Sequence, residues 1–464
     1  MTQRQSIPSG TPAGVRAPAS PASPASRGGF WLVGTILVLL MLSSSAPSAL
    51  YVLYQEKWQL SYGMIAVVFG VYAVTVLAAL LLFGSLSDSV GRRPTLAVSL
   101  LLALISMLVF AGAQGLVWLL VARVVQGLAV GLATGALGAA LLELAPPARP
   151  ALGAQVNSLG PTVGIGLGGL AAGVLVQYAP APTALTFLVL AVAFAAVLAG
   201  LHRLPETAPG VGGPRRIVPH RVRIPAGIRR RFLVLALSIV AVWSVGGFYL
   251  SLGPKLALSL LGSTDHLVGG ATVALLAIGA TLMQLLLVRF APLRTTLLGL
   301  GLLITGLGLV LTALYASSAP LFLLATVVLG TGWGGAFLGA FRGLVGLGRP
   351  EHRGELTAAV YVFGYLAMSL PAVLAGVLSA RYGLHDTAVA FMAVVAGLCV
   401  LALLATARLA ARTTATEGTT ATEGTTATEG AAGTEGTTAT QGTAGTEGAT
   451  ATQGATATEE RKAP

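Results

Sequence analysis

The chain has 464 residues, of which 55% are hydrophobic and 9% charged, with a mean hydropathy of +0.85 and a formal net charge of +12. That composition leaves too few polar side chains to coat a water-soluble globule of this size, so a bilayer is the solvent it fits. The positive charge does not point to nucleic acid, because the arginines fall in breaks between apolar runs and form no stripe interleaved with aromatics.

Residues 1–29 are rich in Pro, Ser, Ala and Gly and have no apolar periodicity, so a disordered tail is expected. The first apolar run begins only at Phe30 and reaches about Tyr51. At 1.5 Å per residue it spans a bilayer of roughly 30 Å, and a cleaved signal peptide is not expected. Eleven further spans are predicted near 62–84, 95–113, 116–140, 155–178, 183–203, 232–253, 266–288, 295–315, 320–342, 356–379 and 386–408. Cys399, the single cysteine, lies inside an apolar run and reads as a packing residue, with no disulfide or cysteine metal site to argue from.

Orientation follows from the short loops. One set holds Arg92, Arg93, Arg149, the block Arg203 to Arg231, Arg289, Arg294, Arg349 and Arg353, and the other only Lys57, Lys255 and Arg381. The first set, with both termini, is expected to be cytoplasmic. Arginine far outnumbers lysine in a chain full of Ala and Gly, which fits a bacterial inner membrane.

The basic stretch 205–231 is longer than any other break and divides the spans into bundles 30–204 and 232–409. The halves correspond at an offset of about 204 residues: Pro146 and Arg149 fall on Pro350 and Arg353, Gln126 on Gly330, Gly131 on Gly335, and Gly160 on Gly364. The expected fold is therefore an all-α integral membrane protein, with twelve transmembrane helices in two six-helix pseudo-repeat bundles and a site near midplane between them. From 410 to 464 a Thr, Ala, Gly and Glu hexad repeats without an apolar face, and disorder is expected there too.

Between the second and third spans lies GSLSDSVGRRP. Gly84 and Gly91 permit a tight turn, Asp88 adds a negative charge, and Arg92 and Arg93 pin the loop to the membrane surface. The run resembles the loop between the second and third helices of the major facilitator superfamily of transporters. In that family the matching aspartate and first arginine belong to a charge cluster that joins the two halves on the cytoplasmic side in the outward-facing state. The resemblance assigns that latch to Asp88 and Arg92, with Glu143 placed to meet Arg92 and the N-terminus of the eleventh helix, near Glu355 and Leu356, placed to meet Asp88.

Two further motifs accompany it. Arg123, Gln126, Gly127 and Gly131 resemble the family's Arg-x-x-Gln-Gly pattern in the fourth helix, and Arg123 is the only basic residue well inside a predicted span. It is either a functional intramembrane charge or a side chain that snorkels to the interface. Gly160, Pro161 and Gly164 resemble the fifth-helix motif of bacterial twelve-helix drug/proton antiporters, although Ile165 stands where those exporters have another glycine. Such residues bend a helix or serve close packing.

The helices that line the cavity in that family place Ser45, Arg123, Gln126, Trp243, Tyr249 and Trp333 as substrate or coupling candidates, with Tyr51 read as part of an interfacial aromatic belt. Aromatic walls with few hydroxyls suit a hydrophobic organic substrate better than a sugar. The resulting expectation is proton-coupled efflux of hydrophobic compounds by a monomeric carrier, with no cofactor beyond a proton gradient, no metal and no nucleic acid. An importer or uniporter of a metabolite or sugar is the alternative, and a receptor or membrane enzyme a remoter one. No carboxylate is predicted at mid-membrane depth, so protons would use Glu56 or Asp88 with Arg123, or the carrier is a uniporter. The histidines lie in or beside loops, and no nucleophile-base motif or metal-ligand spacing is visible.

Overall fold

The computed structural model describes residues 24–208, 224–348 and 353–432. Its helices are α1 (Pro24–Trp58), α2 (Tyr62–Phe83), α3 (Leu86–Val90), α4 (Arg92–Ala111), α5 (Leu116–Glu143), α6 (Ala151–Tyr178), α7 (Pro182–Gly200), α8 (Arg229–Ser251), α9 (Gly253–Leu261), α10 (His266–Leu287), α11 (Pro292–Tyr315), α12 (Ala319–Gly346), α13 (Arg353–Tyr382) and α14 (Leu384–Ala432). Twelve of them, all except the short α3 and α9, are long and apolar enough to cross a membrane. The C-terminal ends of α2, α5, α7, α10 and α12 lie on one side, here called the arginine-rich face.

The ends of several helices differ from the sequence expectation for physical reasons. Gln55, Glu56 and Lys57 interrupt the hydropathy after Tyr51, yet α1 continues to Trp58, because Tyr51 and Tyr54 are buried and Tyr54 stacks on Trp58 with ring centroids 4.9 Å apart. At its start α1 reaches back to Pro24, inside the segment expected to be a tail. At the other terminus, the packed bundle ends at Leu409, and the described part of the following unit, 410–432, is helical. A helix already nucleated by an apolar span extends at little cost through Ala-containing sequence. The linker segment 209–223 and the repeat beyond Ala432 lie outside the described residues.

Polar side chains brace the internal repeat. Ser45 Oγ donates to the Ile165 carbonyl at 2.8 Å, joining α1 to α6, and Ser244 Oγ donates to the Ala367 carbonyl at 3.2 Å, joining α8 to α13. Helices α2 and α10, both 22 residues long, begin at Tyr62 and His266, which is the spacing expected from the sequence.

Helix α6 has two packing faces. A Cβ at Gly160 would sit 2.6 Å from Leu37 Cδ2, and one at Gly164 2.5 Å from Met41 Cβ, so the i, i+4 glycines seat α1. On the other face a Cβ at Gly169 would meet Val273 Cβ at 2.8 Å, and one at Gly173 the Gly270 Cα at 3.1 Å, so those glycines seat α10. Pro161 lies inside this helix, which is unbroken from Ala151 to Tyr178.

The two halves meet along α2 with α13 and α6 with α10, from Thr281 Oγ1, which donates to Thr162 Oγ1 at 3.0 Å, to the ends away from the arginine-rich face. There Gly63 abuts Val377, Gly376 abuts Ala66, Gln177 Oε1 accepts from the His266 N–H at 2.9 Å, and Lys255 Nζ lies 3.5 Å from Glu56 Oε1. Toward the arginine-rich face α5 does not form a helix pair with α12 or α13 among the described residues. Among the described residues the close packing between the halves therefore reaches the opposite face.

Candidate functional site

The Arg123 side chain is fully buried. Its Nη1 donates to the Ser44 carbonyl at 3.0 Å and to Gln126 Oε1 at 2.7 Å, its Nε donates to the Tyr51 hydroxyl at 3.1 Å, and its Nη2 shares that hydroxyl. The rings of Tyr51, Tyr72 and Phe110 surround the guanidinium, with centroids 5.6, 5.1 and 5.7 Å from Cζ. Neutral acceptors and ring faces thus compensate a desolvated cation without any carboxylate. The snorkelling alternative is not what the structure contains, because the side chain turns inward onto α1 and α2. Tyr51 is correspondingly a buried ligand of the guanidinium and not an interfacial anchor.

Proline explains why α1 offers a carbonyl to Gln126. Pro47 lies inside α1 and has no N–H, which deprives the Ser43 carbonyl of its helical donor. Gln126 Nε2 supplies one at 2.9 Å, and Arg123 serves the next carbonyl, that of Ser44. The Tyr72 hydroxyl donates to Ser44 Oγ at 3.0 Å and brings α2 into the same node. In the second half the Tyr249 hydroxyl and Thr326 Oγ1 lie 3.3 Å apart in the core, and at the 204-residue offset Val327 stands where Arg123 does, so the charge belongs to one half only.

Several cavity candidates separate in the fold. Tyr249 and Ser45 are 1% exposed and serve helix packing, so neither lines an open space. Trp333 Nε1 donates to the Val242 carbonyl at 2.8 Å and ties α12 to α8. Trp243 is half-buried and sits among rings that sequence reasoning did not single out: Tyr365 at 4.8 Å, Phe337 at 6.3 Å and Tyr361 at 6.4 Å, with Phe341 5.6 Å from Phe337. The available signal was the i, i+4 spacing of Phe337 with Phe341 on α12 and of Tyr361 with Tyr365 on α13, which puts each pair on one helix face. Trp243 and Tyr365 also pack against the core of the first half, so this aromatic box lies where the halves meet. Among the described residues neither the Tyr361 nor the Tyr365 hydroxyl has a hydrogen-bond partner.

At the arginine-rich face Arg92 Nη1 pairs with Asp88 and donates to Ser87 Oγ at 2.6 Å, while Nη2 lies 3.2 Å from Glu143 Oε1. Gly91 permits the turn with φ +110°, and Gly84 ends α2. Glu206, which was not anticipated, caps α4 by accepting from the Arg92 N–H at 2.7 Å and the Arg93 N–H at 3.0 Å, and Thr207 Oγ1 donates to Glu143. A Pro-Glu-Thr sequence just after a span was the readable cue. The expected partner of Asp88 at the start of α13 borders residues 349–352, which lie outside the described residues; in this structure Asp88 pairs within its own half. In the second half Arg342 Nη1 donates to the Val288 carbonyl at 2.9 Å and to that of Phe290 at 3.2 Å, and no acid takes part among the described residues.

The carboxylates expected to carry protons stand apart from Arg123, since Glu56 pairs with Lys255 and Asp88 with Arg92. No group of three or more His, Cys, Asp or Glu side chains that could hold a metal ion occurs among the described residues.

Comparison with known proteins agrees with this architecture. The inward-facing, unoccupied structure of a bacterial homologue of the human lysosomal transporter Spinster superposes with a TM-score of 0.69 at 15% identity, over 83% of this chain and 98% of that one. The human organic anion transporter MFSD10 (TETRAN) gives 0.60 at 19% identity, over 83% and 100%. A POT family transporter in complex with 5-aminolevulinic acid gives 0.68 at 13% identity, over 82% and 96%. At such identities the likeness is one of fold, and no curated protein matches the sequence. The family model described as Major Facilitator Superfamily matches residues 31–372, and with twelve spans in this arrangement the chain belongs to the major facilitator superfamily of small-molecule transporters.

Proposed function

We propose that this transporter exports hydrophobic organic compounds by alternating access, driven by a proton gradient. In this reading its arginine-rich face and both termini lie in the cytoplasm of a bacterial cell, and the chain works as a monomer in the plasma membrane. The observation that carries the reading is the aromatic box of Trp243, Phe337, Tyr361 and Tyr365 at the junction of the halves. Such a wall gains free energy from apolar and aromatic surface, and its two unpartnered phenols add directional contacts; a polyhydroxylated sugar would need more polar partners. The halves pack at the opposite face, so a substrate would enter this box from the cytoplasm. The family's charge cluster would reform across the halves from Asp88, Arg92 and Glu143 when that entrance closes.

Everted membrane vesicles from a strain lacking its major exporters test this reading. Accumulation of a lipophilic dye that depends on the chain and collapses with the pH gradient is expected. Accumulation that ignores the pH gradient would remove proton coupling, and no accumulation across a broad panel would remove export. A uniporter is the second reading, favoured by one observation: among the described residues, Arg123 has no carboxylate partner.

A further inference from the structure

On the arginine-rich face a groove of about 310 Å³ opens between the first two turns of α4 and the end of α7 with the short 3-10 turn that follows it, lined by Arg93, Pro94, Ala97, Leu198, Leu201 and His202. Both helices are membrane spans, so the groove stands where apolar side chains give way to charged ones, at the depth of lipid headgroups. We propose that it is a binding site for an anionic phospholipid, with the phosphate on Arg93 and His202 and the start of the acyl chains along Pro94, Ala97 and Leu198.

The charges are disposed for it. Arg93 is exposed and its side chain has no ion pair among the described residues, since only its backbone N–H is engaged, by Glu206. His202 Nδ1 donates to the Ala199 carbonyl at 2.6 Å, which holds the ring in place; Nε2 is unengaged, and as the second N–H of the imidazolium it is the atom that would donate to the phosphate. Arg203 follows, also exposed. The acid at this corner, Glu206, has its oxygens occupied by the N–H groups of Arg92, Arg93 and Ala208, which offsets its repulsion of a phosphate.

Two features select a lipid over a soluble anion. Four of the six lining residues are apolar, which a free phosphate could not use. Basic pockets between spans at the membrane surface are a recurrent way of holding anionic headgroups. The assignment needs only the membrane location of the chain and is independent of direction and substrate.

The test uses the full chain purified in detergent and stripped of lipid, with retained lipid counted by native mass spectrometry. Dioctanoyl phosphatidylglycerol should be retained in preference to dioctanoyl phosphatidylcholine. Arg93→Gln and His202→Gln should each weaken retention by about fivefold, Arg93→Lys should keep most of it, and Arg381→Gln on the opposite face should leave it unchanged. Because Arg93 lies in a structured turn, a second measurement leaves both basic residues intact: phosphatidylglycerol should slow maleimide labelling of Leu198→Cys. Equal retention of the two lipids, retention indifferent to the Arg93 and His202 substitutions, or no protection at position 198 would each overturn the site. Glycerol 3-phosphate binding as tightly as phosphatidylglycerol would mark a soluble-anion site and overturn the lipid assignment.

Discussion

Gln126 Nε2 donates to the Ser43 carbonyl oxygen at 2.9 Å, and that oxygen is available because Pro47, four residues on, has no N–H to give it. The Arg-x-x-Gln motif of α5 therefore repairs the backbone of α1 while holding a buried cation beside it. Gln126→Ala leaves a buried carbonyl and an arginine N–H without partners, a loss of about 1–2 kcal/mol. Pro47→Ala restores the helical donor, so the double variant should lose less stability than the two single losses added. Thermal unfolding of the four proteins in detergent measures the coupling, and strict additivity would remove the link.

The cap on α4 is open to a similar measurement. Glu206→Ala uncovers the Arg92 and Arg93 N–H groups at a helix N-terminus and should cost about 1 kcal/mol. Glu206→Gln, which keeps acceptor oxygen but not charge, should cost less. Loss of the cap should also broaden the position of the Arg92 guanidinium, measurable as lower transport in Glu206→Ala than its expression level explains.

Glycine positions predict where volume is tolerated. Gly164→Ala would force its Cβ to within 2.5 Å of Met41 Cβ and 2.6 Å of the Val38 carbonyl, which separates α1 from α6. Gly200→Ala meets nothing within 4 Å and should be neutral or slightly stabilising. Yield and melting temperature compared across this pair check the packing face.

Packing of the halves at the opposite face can be locked covalently. A Cβ at Gly63 would lie 3.4 Å from Val377 Cγ2 and 3.6 Å from Val377 Cα, which suits a disulfide between Gly63→Cys and Val377→Cys. The buried Cys399 is the only native thiol, so the background is easily cleared with Cys399→Ala. Oxidation should stop transport and reductant should restore it. Undiminished transport with the cross-link fully formed would show that this interface does not open during the cycle.

The aromatic box should control apparent affinity. Trp243→Ala removes three ring contacts, each worth roughly 0.5–1.5 kcal/mol, and should raise KM for an exported dye about tenfold. Tyr365→Phe, which deletes only a hydroxyl, should have a smaller effect. Tyr249→Phe, changed inside the second-half core, should leave KM alone.

Much of this architecture was legible in the linear chain. Twelve apolar runs, the separation of arginine-bearing loops from the others and the 204-residue correspondence all follow from local hydropathy, because in a bilayer every span must satisfy its own backbone. The GSLSDSVGRRP run identified the family, and Asp88, Arg92 and Glu143 do come together. The spacing of Gly160 and Gly164 also pointed to a packing face.

Other features depended on contacts between distant segments. Tyr51 resembled an interfacial anchor until α5 brought Arg123 against it, and Tyr249 resembled a cavity residue until Thr326 met its hydroxyl. Glu206 had no visible partner in sequence because its ligands lie more than a hundred residues upstream. Composition and periodicity by themselves determined that this protein spans a membrane twelve times, and the GSLSDSVGRRP run pointed to the facilitator-type transporters. Only the tertiary structure decided which polar groups face one another and at which face the halves pack closely, because those depend on how whole helices pack, and local sequence encodes the face a helix presents but not its partner.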